Sequence, residues 1–167
     1  MRIVIDMQGA QTVSRFRGIG RYTLNFAKAL VRNRGRHEIY LALNGLFTET
    51  IEPIRFAFDE LLPQENIRVF SASGPVSEIN FGNKSHRQVS EFLREAFLES
   101  LNPDIIHICS LFEGYLDDAV TSIGLLGMAT PVSVTFHDLI PLLNYEHYLE
   151  QNKTFLAYYN SKLAFLR

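Results

Sequence analysis

The sequence predicts an α/β fold, a doubly wound and mainly parallel sheet of the Rossmann type, from three observations. Five short apolar runs alternate with segments of helical periodicity along the 167 residues. The connections between the runs are long enough for the crossovers that parallel strands require. Glycines and polar residues follow directly after several of the runs, where the carboxyl ends of parallel strands meet and ligands bind.

The first strand and the first helix have the clearest sequence signals. The β-branched run "RIVID" predicts a buried strand at residues 2–6, and a loop separates it from the helix. The helix is predicted to begin at Gly18 and to end at the "RNRG" sequence of residues 32–35, which supplies late positive charge and a C-terminal glycine. Its apolar residues share one face, which consists of Ile19, Tyr22, Phe26, Ala29 and Leu30.

The later elements continue the alternation. The second helix, over residues 48–62, is predicted to turn Ile51, Ile54, Phe58 and Leu61 inward. Serine, glycine and asparagine dominate residues 71–85, which predicts a long surface loop of the kind that often has a function. The other strands are predicted at 38–43, 66–70, 105–108 and 131–136, and the other helices at 86–101 and 117–129.

The domain organisation is predicted from the end of the chain. We expect residues 1–150 to form one Rossmann-like domain. From Tyr145 onward the apolar spacing is helical and stops without a glycine, a proline or a cap. Residues 151–167 are therefore expected to start a helix that leads to a second domain, which this chain lacks.

The charge is distributed unevenly, although the net charge is only −2. Residues 1–36 hold eight of the 16 lysines and arginines and a single acid, Asp6. The rest of the chain has eight basic and 17 acidic residues. A basic N-terminal region favours an anionic ligand or surface there. Nucleic acid is disfavoured as a partner, because no second basic region, zinc motif or aromatic-studded basic strand accompanies it.

Cellular location is inferred from the cysteine content and the absence of targeting signals. The single cysteine, Cys109, excludes an internal disulfide framework and fits a reducing compartment. The N-terminal apolar run is too short for a signal peptide, and no run reaches membrane-spanning length. We therefore expect a cytoplasmic protein, with peripheral contact at the inner face of the cytoplasmic membrane left open.

The glycine-containing segment "SRFRGIGRY" is the first candidate site. Gly18 and Gly20 permit close backbone approach at the positive end of a helix, where Arg15, Arg17 and Arg21 are suited to hold a diphosphate. The alternative is that the glycines merely start the helix and the arginines are solvated. The segment is neither a P-loop nor a GxGxxG fingerprint, so NAD binding is disfavoured.

The segment "TFHDLIPL" is the second candidate site. His137 and Asp138 directly follow a predicted strand, which places an imidazole and a carboxylate at the ligand-binding edge. The alternative is that Asp138 caps a helix and His137 is an ordinary, partly buried ring. No further ligands lie at a suitable spacing, so we expect no metal site.

The segment "HICSLFEGY", residues 107–115, is the third candidate. Glu113 and Tyr115 are suited to contact a polar ligand, but they are equally compatible with being plain loop residues. A nucleophilic pair of Cys109 and His137 is conceivable. The apolar surroundings of the cysteine instead favour an inert core thiol.

Together these motifs resemble the N-terminal half of the retaining GT-B glycosyltransferases of family four. The resemblance is strongest to the bacterial mannosyltransferases of surface-polysaccharide synthesis. It is carried by "RIVID", "GIGRYTLNFAKAL", "PDIIHI" and "VTFHDLIPL", whose order and separation match over nearly all 167 residues. In that family two Rossmann-like domains face each other across a cleft. The N-terminal domain mainly holds the acceptor, and the C-terminal domain holds most of the nucleotide sugar.

The resemblance implies roles for particular residues. Gly18 and Gly20, with Arg17 and Arg21 beside them, would approach the diphosphate of the donor. The transferred sugar would lie beside His137, which helps to position the donor and to stabilise developing positive charge. Asp138 would orient that turn. Acceptor contacts would come from the loop 71–85 and from His107, Glu113 and Tyr115.

The function implied is transfer of a sugar, mannose from GDP-mannose, to a lipid-linked or growing polysaccharide acceptor. The family uses no essential metal or other cofactor. The second domain, with its paired glutamates, is missing from this chain, so the fragment alone is expected to be inactive. Two alternatives stay open: a non-catalytic sugar- or nucleotide-binding module, and another doubly wound nucleotide binder such as a small kinase or dehydrogenase.

Overall fold

Five parallel strands form a single sheet in a computed structural model that describes residues 1–127, 129–137 and 139–166. The strand order is β3-β2-β1-β4-β5, and all four neighbouring pairs are parallel. This order confirms the doubly wound α/β fold predicted from the alternation of apolar runs and helices. The strands are β1 (Arg2–Asp6), β2 (Glu38–Asn44), β3 (Ile67–Phe70), β4 (Ile105–Ile108) and β5 (Val132–Val134).

Helices cover both faces of the sheet, because the strands are apolar on both sides. On one face Ile5 and Leu41 pack against α1 and α2, and on the other Val4 and Ile106 pack against α3. Successive residues of β1 therefore belong to different cores, as the twofold period of a strand requires. The helices are α1 (Gly18–Arg32), α2 (Thr48–Ala57), α3 (Lys84–Ser100), α4 (Ile140–Leu143) and α5 (Lys153–Ala164).

The helix predicted at 117–129 is wrong. The described residues of this segment contain no helix, and Gly124 and Gly127 have φ angles of +79° and +63°, which a right-handed helix excludes. The amide of Val120 donates to Gln8 Oε1 and the carbonyl of Asp118 accepts from Asn44 Nδ2. Backbone groups of this segment thus bond to side chains at and after the strand ends instead of forming the i to i−4 hydrogen bonds of a helix.

The helix predicted at 86–101 is confirmed as α3, but several of its apolar residues do not lie on the buried face. Val89, Phe92 and Leu93 are about half exposed, whereas Ser90 and Arg94 are buried. Arg94 turns inward because Asp6 at the end of β1 offers it a buried carboxylate. A strong ion pair beneath the helix has therefore outweighed the apolar stripe in setting its rotation.

The end of the chain is two helical pieces rather than one helix from Tyr145. A π-helical turn at Glu146–Glu150 precedes α5, and Asn152 between them caps α5 by accepting from the amide of Phe155. Tyr158 and Lys162 of α5 are buried, and they donate to the carbonyls of Glu113 and Thr121. The start of the region expected to lead to another domain thus packs against the loop that follows β4.

No helix within the described parts of the chain is both long and apolar enough to cross a membrane.

Candidate functional site

The carboxyl ends of the strands rest on a layer of buried polar side chains. Asp6, the last residue of β1, accepts from Arg94 Nε at 2.8 Å and from Arg94 Nη2 at 2.5 Å. Gln8 Nε2 donates to both carboxylate oxygens of Asp6, and Gln8 Oε1 accepts from Asn44 Nδ2 at 2.9 Å. The Arg94 side chain is fully buried. This layer ties β1, β2 and α3 together and gives the loops above it a rigid base.

The two glycines of the motif, both in the first turn of α1, have different surroundings. A side chain at Gly20 would lie 2.5 Å from the Ser14 carbonyl oxygen and 2.7 Å from the Arg15 amide nitrogen, so this position is glycine because the 3₁₀ turn Val13–Phe16 packs against it. A side chain at Gly18 would meet no atom within 4 Å. Packing within the described chain therefore explains Gly20, but it does not explain Gly18.

The three arginines of the motif also differ. Arg15 donates to the Gln11 carbonyl at 2.6 Å and forms an ion pair with Glu49 at 3.3 Å. Arg17 and Arg21 are exposed, and among the described residues neither guanidinium has an ion-pair partner. Arg17 and Arg21 are thus the two cations at the positive end of α1 that are available to an anion.

Arg21 also lies beside a groove between α1 and α2. The groove has a volume of about 390 Å³ and a mainly apolar lining that includes Leu24 and Ile54. Tyr22, the next residue, projects about 100° further around the helix, and its ring contacts His137 instead. The groove beside Arg21 and the contact with His137 therefore lie on different sides of α1.

His137 is held where β5 ends. Its Nε2 lies 2.7 Å from the carbonyl oxygen of Cys109, and its ring stands edge-on to Tyr22 with 5.0 Å between the ring centroids. A carbonyl oxygen can only accept, so Nε2 carries a proton in this arrangement. The start of α1 and the end of β5 are thus brought together by Tyr22, a residue that the sequence analysis did not assign to the site. Asp138 lies outside the described residues.

His107 is engaged within the protein. Its Nδ1 lies 2.7 Å from Ser133 Oγ, its Nε2 lies 3.2 Å from Thr135 Oγ1, and its ring packs on Phe26. Thr135 also lies 3.3 Å from the hydroxyl of Tyr22. Burial lowers the pKa of His107, which keeps the ring neutral at physiological pH. His107 is therefore part of a polar chain that joins β4, β5 and α1.

Glu113 is a buried carboxylate with three hydroxyl donors. Thr12 and Ser14 donate to its Oε2 at 2.9 and 3.2 Å, and Ser110 donates to its Oε1 at 3.0 Å. Burial raises the pKa of Glu113 to about 7, although the hydroxyl hydrogen bonds act in the opposite direction. The side chain faces the turn before α1 and is 4% exposed.

The other members of the third motif face the core or α5. Cys109 is fully buried and burial raises the pKa of its thiol, so its environment is that of an inert core thiol. Tyr115 packs against Phe155 and Tyr158 of α5, and its carbonyl accepts from the amide of Ile79. The loop predicted at 71–85 is thereby docked on the loop after β4.

The fold and the polar strand ends define a Rossmann-like α/β domain whose loops meet at the carboxyl edge. Across nearly its whole length this domain is similar to a known bacterial enzyme. It is 34% identical over 165 residues to a serotype-specific mannosyltransferase WbdA of Escherichia coli, a match that covers 98% of this chain and 20% of the relative. A second WbdA sequence of the same species is 32% identical over 139 residues, covering 83% of this chain and 17% of the relative.

These matches support a glycosyltransferase domain that resembles part of the bacterial mannosyltransferases. The chain spans about a fifth of the length of the curated relatives it matches. No protein-family model matches it, and no solved structure does so either.

Proposed function

We propose that the chain is the N-terminal, acceptor-side domain of a retaining GT-B glycosyltransferase. In this proposal the protein transfers mannose from GDP-mannose to a lipid-linked or growing polysaccharide acceptor at the inner face of the cytoplasmic membrane, without a metal. The observation that carries the proposal is the match over 165 residues to a relative named as a mannosyltransferase. The site geometry supports it at the start of α1 and at His137.

The donor diphosphate is assigned to the start of α1. The open space above Gly18 leaves room for a ligand to approach the backbone. Unpaired N–H groups and the helix dipole favour an anion there, and Arg17 and Arg21 add two exposed positive charges. Gly20 contributes by letting the preceding turn pack closely against the helix.

The transferred sugar is assigned to His137. Donation from Nε2 to the Cys109 carbonyl fixes the orientation of the ring, and Tyr22 supports one of its sides. In the neutral ring Nδ1 then carries a lone pair, which stabilises positive charge that develops on a nearby sugar as its bond to the diphosphate breaks. Asp138 is proposed to orient the turn that carries His137.

The acceptor is assigned to the neighbouring loops. Tyr115 and the docked loop at 71–85 form the part of the edge next to β4. His107 and Glu113 have hydroxyl partners from the protein on their polar atoms, so we assign them to support of the edge rather than to direct acceptor contact.

Transfer by the intact gene product tests the proposal. The protein is supplied with a panel of labelled sugar nucleotides and a membrane extract as acceptor, and the matched control is the His137→Ala variant. Incorporation from GDP-mannose that the variant lacks supports the proposal. Absence of incorporation from every donor, with a folded protein and a matched acceptor, contradicts it and favours a non-catalytic binding module.

A further inference from the structure

The carboxylate of Glu113 connects two loops that are distant in sequence. One of its oxygens accepts from Thr12 and Ser14 in the loop after β1, and the other accepts from Ser110 in the loop after β4. The backbone of Glu113 is anchored as well, because its carbonyl accepts from Tyr158 of α5 and from Thr121. A buried side chain with this many partners has little freedom to move.

The turn that Glu113 holds determines where α1 begins. Ser14 and Arg15 stand directly against Gly20, with no room for a side chain between them. The carbonyl of Ser14 also accepts from the amide of Arg17, the residue that precedes α1. A displacement of this turn is therefore passed to the first turn of α1 and, through Tyr22, to the contact with His137.

We propose that Glu113 is a positioning residue for donor binding, whose carboxylate holds the Val13–Phe16 turn and thereby sets the start of α1 relative to His137. The inference rests on the proposed function, since it assumes that the donor diphosphate binds at the start of α1. It differs from the expectation that Glu113 touches the acceptor.

The test compares steady-state kinetics of the intact gene product and its Glu113→Gln variant. Glutamine keeps the size of the side chain but replaces one accepting oxygen with a donating NH2 group, so at least one hydroxyl partner must reorient. We expect the KM for the sugar nucleotide to rise about tenfold, while kcat and the acceptor KM change by less than about threefold. A role confined to folding would reduce the amount of active protein without changing either KM.

Further variants test whether Glu113 affects the donor KM through its hydrogen bonds to the Val13–Phe16 turn and the neighbouring Thr12. Thr12→Val removes one donor and is expected to raise the donor KM non-additively with Glu113→Gln, because both changes act on one hydrogen-bond network. Thr12→Ser keeps the hydroxyl and is expected to restore the wild-type value. The matched control is Asp117→Asn. This half-buried carboxylate accepts from the amides of Ala119 and Gly114 instead of from the turn, and it acts on Glu113 only through its charge.

Three results would overturn the inference, and they can be told apart. A rise in the acceptor KM with an unchanged donor KM would make Glu113 an acceptor contact. Unchanged KM values with less folded protein would reduce it to a structural residue. Failure of the wild-type protein to use any sugar nucleotide would remove the proposed function itself, and this inference with it.

Discussion

The ring of Tyr22 stands edge-on to the imidazole of His137, with 5.0 Å between the ring centroids and an interplanar angle of 85°. Tyr22 lies one turn into α1, and His137 follows the end of β5. The contact therefore joins the helix start proposed to bind the donor to the histidine proposed to face the sugar. The hydroxyl of Tyr22, 3.3 Å from Thr135, extends the link to His107.

The Tyr22 contact predicts different effects for two substitutions. Tyr22→Phe keeps the ring beside His137 and loses only the hydroxyl with its exposed contact to Thr135, so we expect turnover within about threefold of wild type. Tyr22→Leu removes the ring, and we expect turnover to fall about tenfold, equivalent to about 1.4 kcal/mol in activation free energy. Steady-state kinetics of both variants check this, and equal effects would show that the ring does not support His137.

The two glycines of α1 form a matched pair. Gly20→Ala forces a side chain against the backbone of Ser14 and Arg15, and we expect the free energy of unfolding to fall by about 1–3 kcal/mol. Gly18→Ala meets no neighbour, so stability is retained while affinity for the sugar nucleotide falls. Chemical denaturation and donor titration measure the two quantities. Unchanged donor affinity in Gly18→Ala would count against the diphosphate assignment.

The buried ion pair between Asp6 and Arg94 predicts a large loss of stability when only one partner is removed. Arg94→Met leaves the Asp6 carboxylate uncompensated, which costs about 3–5 kcal/mol. Adding Asp6→Asn to that variant is expected to recover much of the loss, because the amide oxygen still accepts from Gln8.

Arg2→Met is the control for the ion-pair prediction. It removes the more exposed pair with Glu38, and exposed ion pairs contribute little to stability. Denaturation curves of these variants give the comparison. A loss in Arg94→Met no larger than that in Arg2→Met would contradict the account of the polar layer.

Glu113 predicts a pH dependence of stability. Burial raises its pKa from 4.5 in the unfolded chain to about 7, so the folded protein binds the proton more tightly. The stability from this group is fully present below pH 4.5 and is lost as the pH rises through 7. Asp117 raises the pKa further through its charge, and the neighbouring Tyr158 stays neutral over this range because its own pKa is raised.

The same group can be removed from the titration by substitution. Glu113→Gln lacks the proton equilibrium, so between pH 5 and pH 8 its free energy of unfolding should fall less than that of the wild type. Urea denaturation of both proteins at the two pH values measures the difference. Parallel pH profiles would show that Glu113 ionises as it does in the unfolded chain.

Sequence reasoning predicted the sheet because its strands have a local signal. The run that became β1 is apolar on both faces, and this property is visible without any partner. Helix rotation depends on distant partners instead. The buried side of α3 is set by the ion pair of Arg94 with Asp6, which lies 88 residues away, and no local period encodes it.

Local motifs indicate some residues of the candidate site, but the contacts that join them depend on the fold. His137 and the glycines are recognisable in their motifs, whereas Glu113 resembles an exposed loop residue until Thr12 and Ser110 are brought to it by the fold. Tyr22 was assigned only to the apolar face of a helix. The one useful signal for Arg94 was an arginine placed among the apolar residues of an amphipathic segment.

The most direct test of the central claim is mannosyl transfer by the intact gene product with His137→Ala beside His37→Ala. His37 is an exposed histidine that directly precedes β2, at the edge of the parallel sheet opposite the end of β5. The account predicts transfer from GDP-mannose by the wild type and by His37→Ala, and a loss of at least about a hundredfold in a folded His137→Ala protein. Near-normal transfer by His137→Ala would contradict it.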